Sequence, residues 1–471
     1  MSSSKNLLPL IVIIIACAIL FFVGLGKRGL WSPDETRYAI VSKEMVDSGD
    51  WIMLHRNGEI YAQKPPVFFW LISIFSILLG RFSEFSVRLP SALAATGGAV
   101  ITYFFAKKLF NKRVALFSSL ILVTSLAYLG AARWVILDPL LTFFAISAIY
   151  LLYLGLDKQN TRLITYSLAF ILMALGTLTK GPVGFILPLL AIIPYAYFIK
   201  NMRSLFTKEF TFGFIIFILT VLAWLVPACV RGGEAYTKEL LLNQIFGRFV
   251  EAFDHKEPFY FYFIRFPLEF MPWTVFLPAA VIFLIKNKMG ENAVKLIFIW
   301  FISIFLFFTI SKSKNDLYIL PLYPAAAIAV AYYWENRING RPRTLIYIVA
   351  AMIILNTLLT YLVFPLFDVY KSPKYFSQKI VKYVRPDDSL MTFRTNPVYW
   401  LYYCNRRQIK ELGTYEDLDK YLKADNRVFC IIENNDYEEF MRSYKIKAYA
   451  LEKETFYGRK KTFVLISNRY N

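Results

Sequence analysis

Residues 211–230 read TFGFIIFILTVLAWLVPACV, a run of 20 residues without a charged side chain. A helix of about 20 apolar residues matches the thickness of the hydrocarbon core of a bilayer. Ten further runs of similar character extend over residues 7–25, 89–107, 114–132, 138–156, 163–179, 182–199, 267–286, 294–311, 317–334 and 344–366. The sequence therefore predicts a polytopic α-helical membrane protein with about 11–13 transmembrane helices, and eleven is the preferred count.

The composition agrees with this prediction. Hydrophobic residues make up 57% of the 471 residues and charged residues 18%, whereas soluble proteins have about 45–50% and about 25%. The 53 Lys and Arg exceed the 33 Asp and Glu by 20. Nucleic-acid binding would need a continuous basic face on a soluble module, but these cations fall in short gaps between apolar runs. An ordinary cytosolic enzyme and a disordered chain are excluded.

Whether the short segment 67–80 crosses the membrane decides on which side every later loop lies. It has 14 residues and follows Pro65-Pro66, which favours an interfacial or re-entrant helix over a crossing. With a cytoplasmic N-terminus, the cytoplasmic short loops then carry fifteen cations and the outer short loops carry four, Arg133, Lys180, Lys312 and Lys314. Because cytoplasmic loops are enriched in Lys and Arg, the sequence predicts this orientation.

Three regions then fall on the outer face, namely loop 27–88, loop 231–266 and the tail after Asp368. We therefore predict a transmembrane domain over 1–367 and a small outer α/β domain over 368–471. Patterns typical of strands occur at Ser389–Phe393, Arg427–Ile432 and Thr462–Ile466, and patterns typical of helices at Pro373–Val384 and Tyr437–Tyr444. Whether Cys404 and Cys430 pair in an oxidising compartment stays open.

Ionisable side chains gather at the outer ends of the spans. Asp34, Glu35 and Arg37 follow the first helix, Lys64 precedes the short segment, and Asp138 follows an outward turn. Charges at membrane depth are costly and therefore indicate a site. The alternatives are that Asp34 caps the helix that follows it and that the cations extend to lipid headgroups. A phosphate bound between outer cations, with Arg248 among them, is the functional interpretation.

Several motifs carry a family resemblance. They are Asp34-Glu35-Thr36-Arg37-Tyr38-Ala39, Ser48-Gly49-Asp50-Trp51, Gln63-Lys64-Pro65-Pro66, Val87-Arg88-Leu89-Pro90-Ser91, Leu137-Asp138 and Tyr318-Ile319-Leu320-Pro321. In order and spacing over about residues 7–335, this pattern resembles the bacterial lipid A aminoarabinose transferases, which belong to the polyprenyl-phosphate-dependent membrane superfamily that includes the protein O-mannosyltransferases. The resemblance implies a C-type membrane glycosyltransferase architecture and an outer cavity roofed by juxtamembrane helices.

The resemblance also implies roles for individual residues. It assigns the catalytic role to Asp34 and a second outer acid to Asp138. It assigns binding of the lipid phosphate to Arg37, Lys64 and Arg248, and we expect these groups to converge with the two acids on the outer face. Glu35, Lys312, Lys314 and Tyr318 are further candidate site residues.

The metal position departs from the family pattern. The aminoarabinose enzymes usually read Glu-Lys-Pro-Pro, and that Glu is associated with a bound zinc, but this chain has Gln63, and Asn243 rather than His near Arg248. We therefore expect no metal site and no cofactor, with a divalent metal as the alternative that the resemblance leaves open.

The predicted function is transfer of a sugar, most simply aminoarabinose, from undecaprenyl phosphate to lipid A or a related envelope glycolipid at the periplasmic face of the bacterial inner membrane. The expected partners are the polyprenyl-phosphate-linked donor, the glycolipid acceptor and membrane lipids, with no nucleic acid. Alternatives within this chemistry are a galacturonosyl or hexosyl transferase and a protein O-mannosyltransferase. A transporter or flippase of lipid-linked sugars is the alternative from another class, although transporters place their charges nearer the midplane.

Overall fold

The computed structural model describes residues 4–157, 159–241, 257–337, 342–444, 448–456 and 461–470. The chain forms two compact units. Unit 1 comprises Met1–Leu25, Ala62–Leu71 and Arg88–Asn356, and unit 2 comprises Gly26–Tyr61, Ile72–Val87 and Thr357–Asn471. The loop that carries Asp34 therefore belongs to the same unit as the C-terminal tail, although more than 300 residues of sequence separate them. The boundary between 367 and 368 stays a prediction.

The long apolar runs form helices, as the sequence predicts. The first part of the chain contains α1 (Ser4–Cys17), extended by a π-helical turn (Ala18–Phe22), α2 (Asp34–Ser48), α3 (Val67–Leu78), α4 (Glu84–Leu109), α5 (Lys112–Thr124), α6 (Leu126–Ala132), α7 (Asp138–Asp157), α8 (Arg162–Lys180), α9 (Val183–Phe198) and α10 (Lys208–Lys238). After the gap follow α11 (Phe261–Glu269), α12 (Leu277–Lys288), α13 (Asn292–Ile310), α14 (Tyr323–Arg337), α15 (Pro342–Leu358) and α16 (Phe364–Lys371).

Seven helices among the described residues are long and apolar enough to cross a membrane, and up to nine if each of two bent pairs counts as one span. The bent pairs are α5 with α6, at 70°, and α11 with Trp273–Lys288, at 110°. The runs 114–132 and 267–286, which the sequence predicts as continuous, are therefore broken. Ser125 and the segment before Trp273 interrupt them, and the Leu126 N–H donates to the Met271 carbonyl at 3.0 Å. Three shorter apolar helices, Leu7–Phe22, Val67–Leu78 and Val183–Phe198, complete the set.

Unit 1 is packed through aromatic side chains and close contacts of small residues. Gly176 on α8 and Gly184 on α9 touch so closely that a Cβ on Gly184 would lie 2.1 Å from the Gly176 carbonyl carbon. Small residues of this kind allow membrane helices to approach backbone to backbone. Any larger residue at Gly184 would push the two helices apart.

The C-terminal part of unit 2 is an α/β domain. Its helices are α17 (Lys374–Tyr383), α18 (Val398–Leu401), α19 (Tyr415–Leu422) and α20 (Asn434–Ser443). Its strands are β3 (Ser389–Phe393), β4 (Lys410–Leu412), β5 (Val428–Glu433), β6 (Tyr449–Phe456) and β7 (Lys461–Ser467). Earlier in the chain, strands β1 (His55–Arg56) and β2 (Glu59–Ile60) form a separate small hairpin. The sheet order is β4-β3-β5-β7-β6, with β4, β3 and β5 parallel and β7 antiparallel to both its neighbours.

The central strand β5 explains why the sheet is covered on both faces. Phe429 and Ile431 pack in one apolar cluster, whereas Cys430 and Ile432 pack in another. Because adjacent residues of a strand point to opposite faces, the continuous apolar sequence VFCII buries both. Cys404 lies in the first cluster, and both thiols are free and buried, so the structure contains no bond between Cys404 and Cys430.

Candidate active site

The structure begins helix α2 at Asp34 itself. The position before it is Pro33, and no side chain caps the helix, so Asp34 does not play the capping role that the sequence left open. The carboxylate instead forms an ion pair with Arg37 one turn later. A carboxylate in the first turn also lies at the positive end of the helix dipole, where a negative side chain stabilises the helix.

The Asp34 side chain is more accessible than that of its partner Arg37. The Asp34 side chain is 56% exposed and the Arg37 side chain 24%. The Arg37 guanidinium also lies 5.2 Å from the centre of the Tyr38 ring, and its buried Nε has no hydrogen-bond partner among the residues that the structure describes. The pair thus presents an open carboxylate beside a cation that retains an unused donor, which suits a site for a proton-bearing or phosphate-bearing ligand.

Glu35, the next residue, is turned into the protein. Its two carboxylate oxygens accept hydrogen bonds from Arg28 at 2.8 and 3.0 Å, and one of them also accepts the Trp31 N–H at 2.8 Å. The Arg28 guanidinium lies 4.5 Å from the centre of the Trp31 ring. Because this buried carboxylate is fully engaged, its position favours a structural role, which holds the loop before α2.

A second anchor of this loop comes from the far end of the chain. The buried Asp368 accepts the Gly29 N–H at 2.9 Å and the Trp31 Nε1–H at 2.8 Å. The Tyr403 hydroxyl accepts the Leu30 N–H at 2.8 Å, and Ile40 of α2 packs in the apolar cluster that contains Trp400. The C-terminal domain thereby fixes the loop and helix that carry Asp34. Sequence reasoning missed this function of the tail, and no local signal indicates it.

Unit 1 contains the other predicted acid. Asp138 begins α7 and forms an ion pair with Lys180 at the end of α8. Both side chains are nearly buried, at 11% and 12% exposed, and the Lys180 ammonium lies 4.2 Å from the centre of the Tyr318 ring. Tyr318 belongs to the 3₁₀ segment Asp316–Leu322. The structure therefore brings Asp138 and Tyr318 together through Lys180, a cation that the sequence noted only as an outer-loop charge.

The other cations of unit 1 that the sequence analysis assigns to outer loops are compensated mainly by backbone carbonyls. Arg133 donates to the carbonyls of Leu20 and Phe21 at 2.7 and 3.3 Å, in the π-helical turn that extends α1. Lys314 is buried and donates to the carbonyls of Ser311 and Glu257 at 2.6 and 3.2 Å. Lys312 is exposed and lines an open pocket of about 600 Å³ together with Lys314. A bound phosphate is thus not needed to explain Arg133 or Lys314, whereas Lys312 remains available to a ligand.

A charged cluster that the sequence did not single out connects helix α11 to the same 3₁₀ segment. Arg265 binds Asp316 through two nitrogens, one of them at 2.7 Å, and lies 3.8 Å from Glu269. The Tyr323 hydroxyl donates to Glu269 at 3.3 Å. The signal that could have found this cluster is the presence of Arg265 and Glu269 inside an apolar helix, four residues apart and therefore on one face.

Two of the predicted phosphate ligands remain untested by this geometry. Lys64 lies half-buried just before α3, and Arg248 lies outside the described residues, as does Asn243. Within the ranges that the structure describes, no group of three His, Cys, Asp or Glu side chains could hold a metal ion. The predicted convergence of Asp34, Lys64, Asp138 and Arg248 stays a prediction.

Comparison with known proteins gives two sequence findings. The profile of the family described as dolichyl-phosphate-mannose-protein mannosyltransferase matches residues 63–226. A protein of Pectobacterium atrosepticum named undecaprenyl phosphate-alpha-4-amino-4-deoxy-L-arabinose arabinosyl transferase is 31% identical over 342 residues, which are 70% of this chain and 60% of that protein. The chain thus spans only about three fifths of the length of such relatives.

The fold is shared over nearly the whole chain. The crystal structure of ArnT from Cupriavidus metallidurans in the apo state superposes with a TM-score of 0.82 at 18% identity and covers 100% of this chain and 99% of that one. The structure of the same protein bound to undecaprenyl phosphate gives a TM-score of 0.79 at 19% identity, with 98% of each chain covered. The chain is thus a multi-pass membrane protein with the C-type glycosyltransferase fold, and it resembles the aminoarabinose transferases of the polyprenyl-phosphate-dependent superfamily.

Proposed function

We propose that the protein is a membrane glycosyltransferase that moves a sugar from polyprenyl phosphate to lipid A or a related glycolipid. The observation that carries the proposal is the sequence likeness to proteins named as arabinosyl transferases that use an undecaprenyl phosphate sugar. The exposed carboxylate of Asp34 beside Arg37 supports it, because it supplies the acid and cation pair that such a transfer needs. We further propose that the protein resides in a bacterial inner membrane with Asp34 and the C-terminal domain on the periplasmic side.

In the proposed reaction, an acceptor oxygen forms a bond to the anomeric carbon of the sugar while the bond between that carbon and the phosphate oxygen breaks. The electron pair leaves with the phosphate of the lipid. If the acceptor is a hydroxyl, Asp34 takes its proton as the new bond forms. If the acceptor is an ionised phosphate, Asp34 instead orients it. A single direct displacement inverts the configuration at the anomeric carbon.

The leaving lipid phosphate needs positive charge as the bond breaks. We assign this role to Arg37 and Lys64, and also to Arg248. Asp138 is assigned the role of positioning Lys180 beside Tyr318 through their ion pair, since both side chains are nearly buried and each charge needs the other. We also assign Lys312, an exposed cation of unit 1, to the binding of anionic ligands. Lys314 and Glu35 have structural roles: Lys314 holds the backbone carbonyls that it contacts, and Glu35 holds the loop before α2.

A second candidate differs only in the acceptor. The match of residues 63–226 to the profile of protein mannosyltransferases favours a protein hydroxyl as the acceptor. That match lies within the first half of the chain, whereas the likeness to the arabinosyl transferase extends over 70% of it. We therefore keep the glycolipid as the leading acceptor. A galacturonosyl or hexosyl donor, in place of aminoarabinose, leaves the same chemistry unchanged.

The test uses the purified full chain in lipid nanodiscs, given radiolabelled polyprenyl-phosphate sugars one at a time with lipid A. We expect label on lipid A with one of the sugars. Asp34→Asn should lower turnover about 10²–10⁴-fold, the usual contribution of a general base, while donor binding is retained. Asp47→Asn, a carboxylate at the other end of α2, is the matched control and should transfer at the wild-type rate.

Each other outcome has a defined meaning. Label on protein rather than lipid A, with the same loss in Asp34→Asn, would favour the mannosyltransferase alternative. Absence of transfer in nanodiscs, together with movement of intact lipid-linked sugar across the membrane of sealed liposomes that contain the protein, would favour a flippase. Wild-type turnover by Asp34→Asn would remove Asp34 from the catalytic role.

A further inference from the structure

Unit 2 contains an open pocket of about 580 Å³ that neither the motifs nor the proposed reaction uses. Its lining comes from helix α2 through Lys43, from the turn before α4 and the first residues of α4 through Arg81 and Phe85, and from the C-terminal domain through Tyr402 and Tyr403. Three separated parts of the sequence thus form one concave surface. Because α4 is one of the candidate spans and begins at Glu84, the connection before it lies at a membrane–water boundary.

The sign of the pocket is positive. Its one acidic lining residue is Glu84, and that carboxylate is engaged by the Lys374 ammonium at 2.7 Å and by the Tyr403 hydroxyl at 3.1 Å. Lys43 is paired with Asp47 at 2.9 Å in a partly exposed contact. The exposed Arg81 guanidinium makes no hydrogen bond or ion pair with any residue that the structure describes. Arg81 therefore offers its full set of donors to an anion.

The backbone around Arg81 is held in place. Helix α3 ends at Leu78, and Gly80 in the turn after it has a φ of 71°, in the left-handed region. The Arg81 N–H donates to the Ser76 carbonyl at 2.9 Å. Ser83 and Ser86 exchange hydrogen bonds between backbone and side chain at 2.9 and 3.1 Å, which fixes the start of α4. A cation on a fixed turn loses less backbone freedom when it binds an anion than one on a mobile loop.

The neighbourhood of the pocket is apolar and exposed. Leu78 is 73% exposed and Ile77 is 51% exposed, directly before the turn, and Phe85 on the other side of it is also exposed. Exposed aliphatic side chains beside a cation, with tyrosines at the same level, are typical of the boundary where lipid headgroups meet acyl chains. A water-soluble anion would use only the cationic part of this surface, whereas a lipid would cover both parts.

We propose that this pocket binds the headgroup of an anionic phospholipid, with Arg81 and Lys43 on the phosphate and the acyl chains along Ile77, Leu78 and Phe85. Arg81 carries most of the recognition because its guanidinium fork matches phosphate oxygens. The proposal does not rest on the transfer reaction, since none of these residues belongs to the assigned site.

The experiment titrates the purified full chain, in a neutral detergent, with fluorescent phosphatidylglycerol. Loss of one charged contact to a phosphate should weaken binding about tenfold, so we expect this for Arg81→Gln and a smaller loss for Lys43→Gln. Arg81→Lys keeps the charge but loses the guanidinium fork, so it should restore only part of the affinity. Arg442→Gln removes an exposed cation that does not line the pocket and is the matched control. The melting temperature of each variant shows that it is folded.

Three results would overturn the proposal. The first is wild-type affinity of folded Arg81→Gln for phosphatidylglycerol. The second is equal affinity for phosphatidylcholine, which has the same phosphate but no net charge. The third is displacement of the lipid by inorganic phosphate at a similar concentration, which would make the ligand a free phosphate. Because the readout is binding, failure of the transfer assay leaves this test intact.

Discussion

The ion pair between Asp138 and Lys180 supports the sharpest prediction. Each side chain is little more than a tenth exposed, so neither charge is well solvated. Removing one member of a buried pair costs about 3–5 kcal/mol, since the other charge remains buried without compensation. Lys180→Met should therefore lower the free energy of unfolding by about 3 kcal/mol or more, and this includes the loss of its contact with the Tyr318 ring, worth about 0.5–2 kcal/mol.

The double variant distinguishes a coupled pair from two independent residues. In Asp138→Asn with Lys180→Met both positions are neutral, and no unpaired charge remains. We expect the double variant to cost clearly less than the about 3 kcal/mol of either single variant, because no uncompensated charge is left, whereas independent sites would give about 6 kcal/mol. The coupling free energy is then at least about 3 kcal/mol, at or above the upper end of values for residues in contact.

The assay is unfolding of the four proteins in mixed micelles by titration with a denaturing detergent, followed by tryptophan fluorescence. The same proteins are tested for transfer, and we expect both single variants to lose more activity than Tyr318→Phe, which keeps the ring. If the costs of the two single variants simply add, the two charges do not depend on each other. The reasoning from burial would then be wrong.

Two further predictions concern unit 2. Glu35→Gln removes the carboxylate that pairs with the buried Arg28 cation, so it should lower the free energy of unfolding by about 3–5 kcal/mol in the same unfolding assay. The control Glu59→Gln, at an exposed position, should cost little. Equal effects of the two variants would contradict a structural role for Glu35. Burial raises the pKa of the Cys404 thiol to about 11. Because only the thiolate reacts, alkylation of Cys404 at pH 8 should be roughly 100-fold slower than that of an ordinary thiol. Rapid labelling of Cys404 in the folded protein, measured by peptide mass spectrometry, would show that this thiol is not buried.

Much of the architecture follows from local sequence. The uncharged run 211–230 predicts a helix independently of the rest of the fold, because backbone groups in lipid have to form their hydrogen bonds within the segment itself. The strand Ser389–Phe393 and the helix Pro373–Val384 are predicted from their apolar periods, and the structure confirms both, with the helix at Lys374–Tyr383. The short strand Lys410–Leu412 is not predicted, because three residues are too few to show an alternation of apolar and polar side chains. It forms only by pairing with β3.

The acids and cations of the candidate site were also visible in the sequence, since charged residues next to apolar spans are rare and costly. Their partners were not. Whether Asp34 caps a helix or pairs with Arg37, and whether Glu35 is open or buried against Arg28, depends on how the loop folds. Asp368 accepts a hydrogen bond from the Gly29 N–H, a residue 339 positions earlier in the sequence. Lys180 pairs with Asp138, which lies 42 positions earlier. The sequence by itself determined which residues carry charge at the membrane boundary, but burial decides which charges need a partner, and burial arises only when distant segments pack.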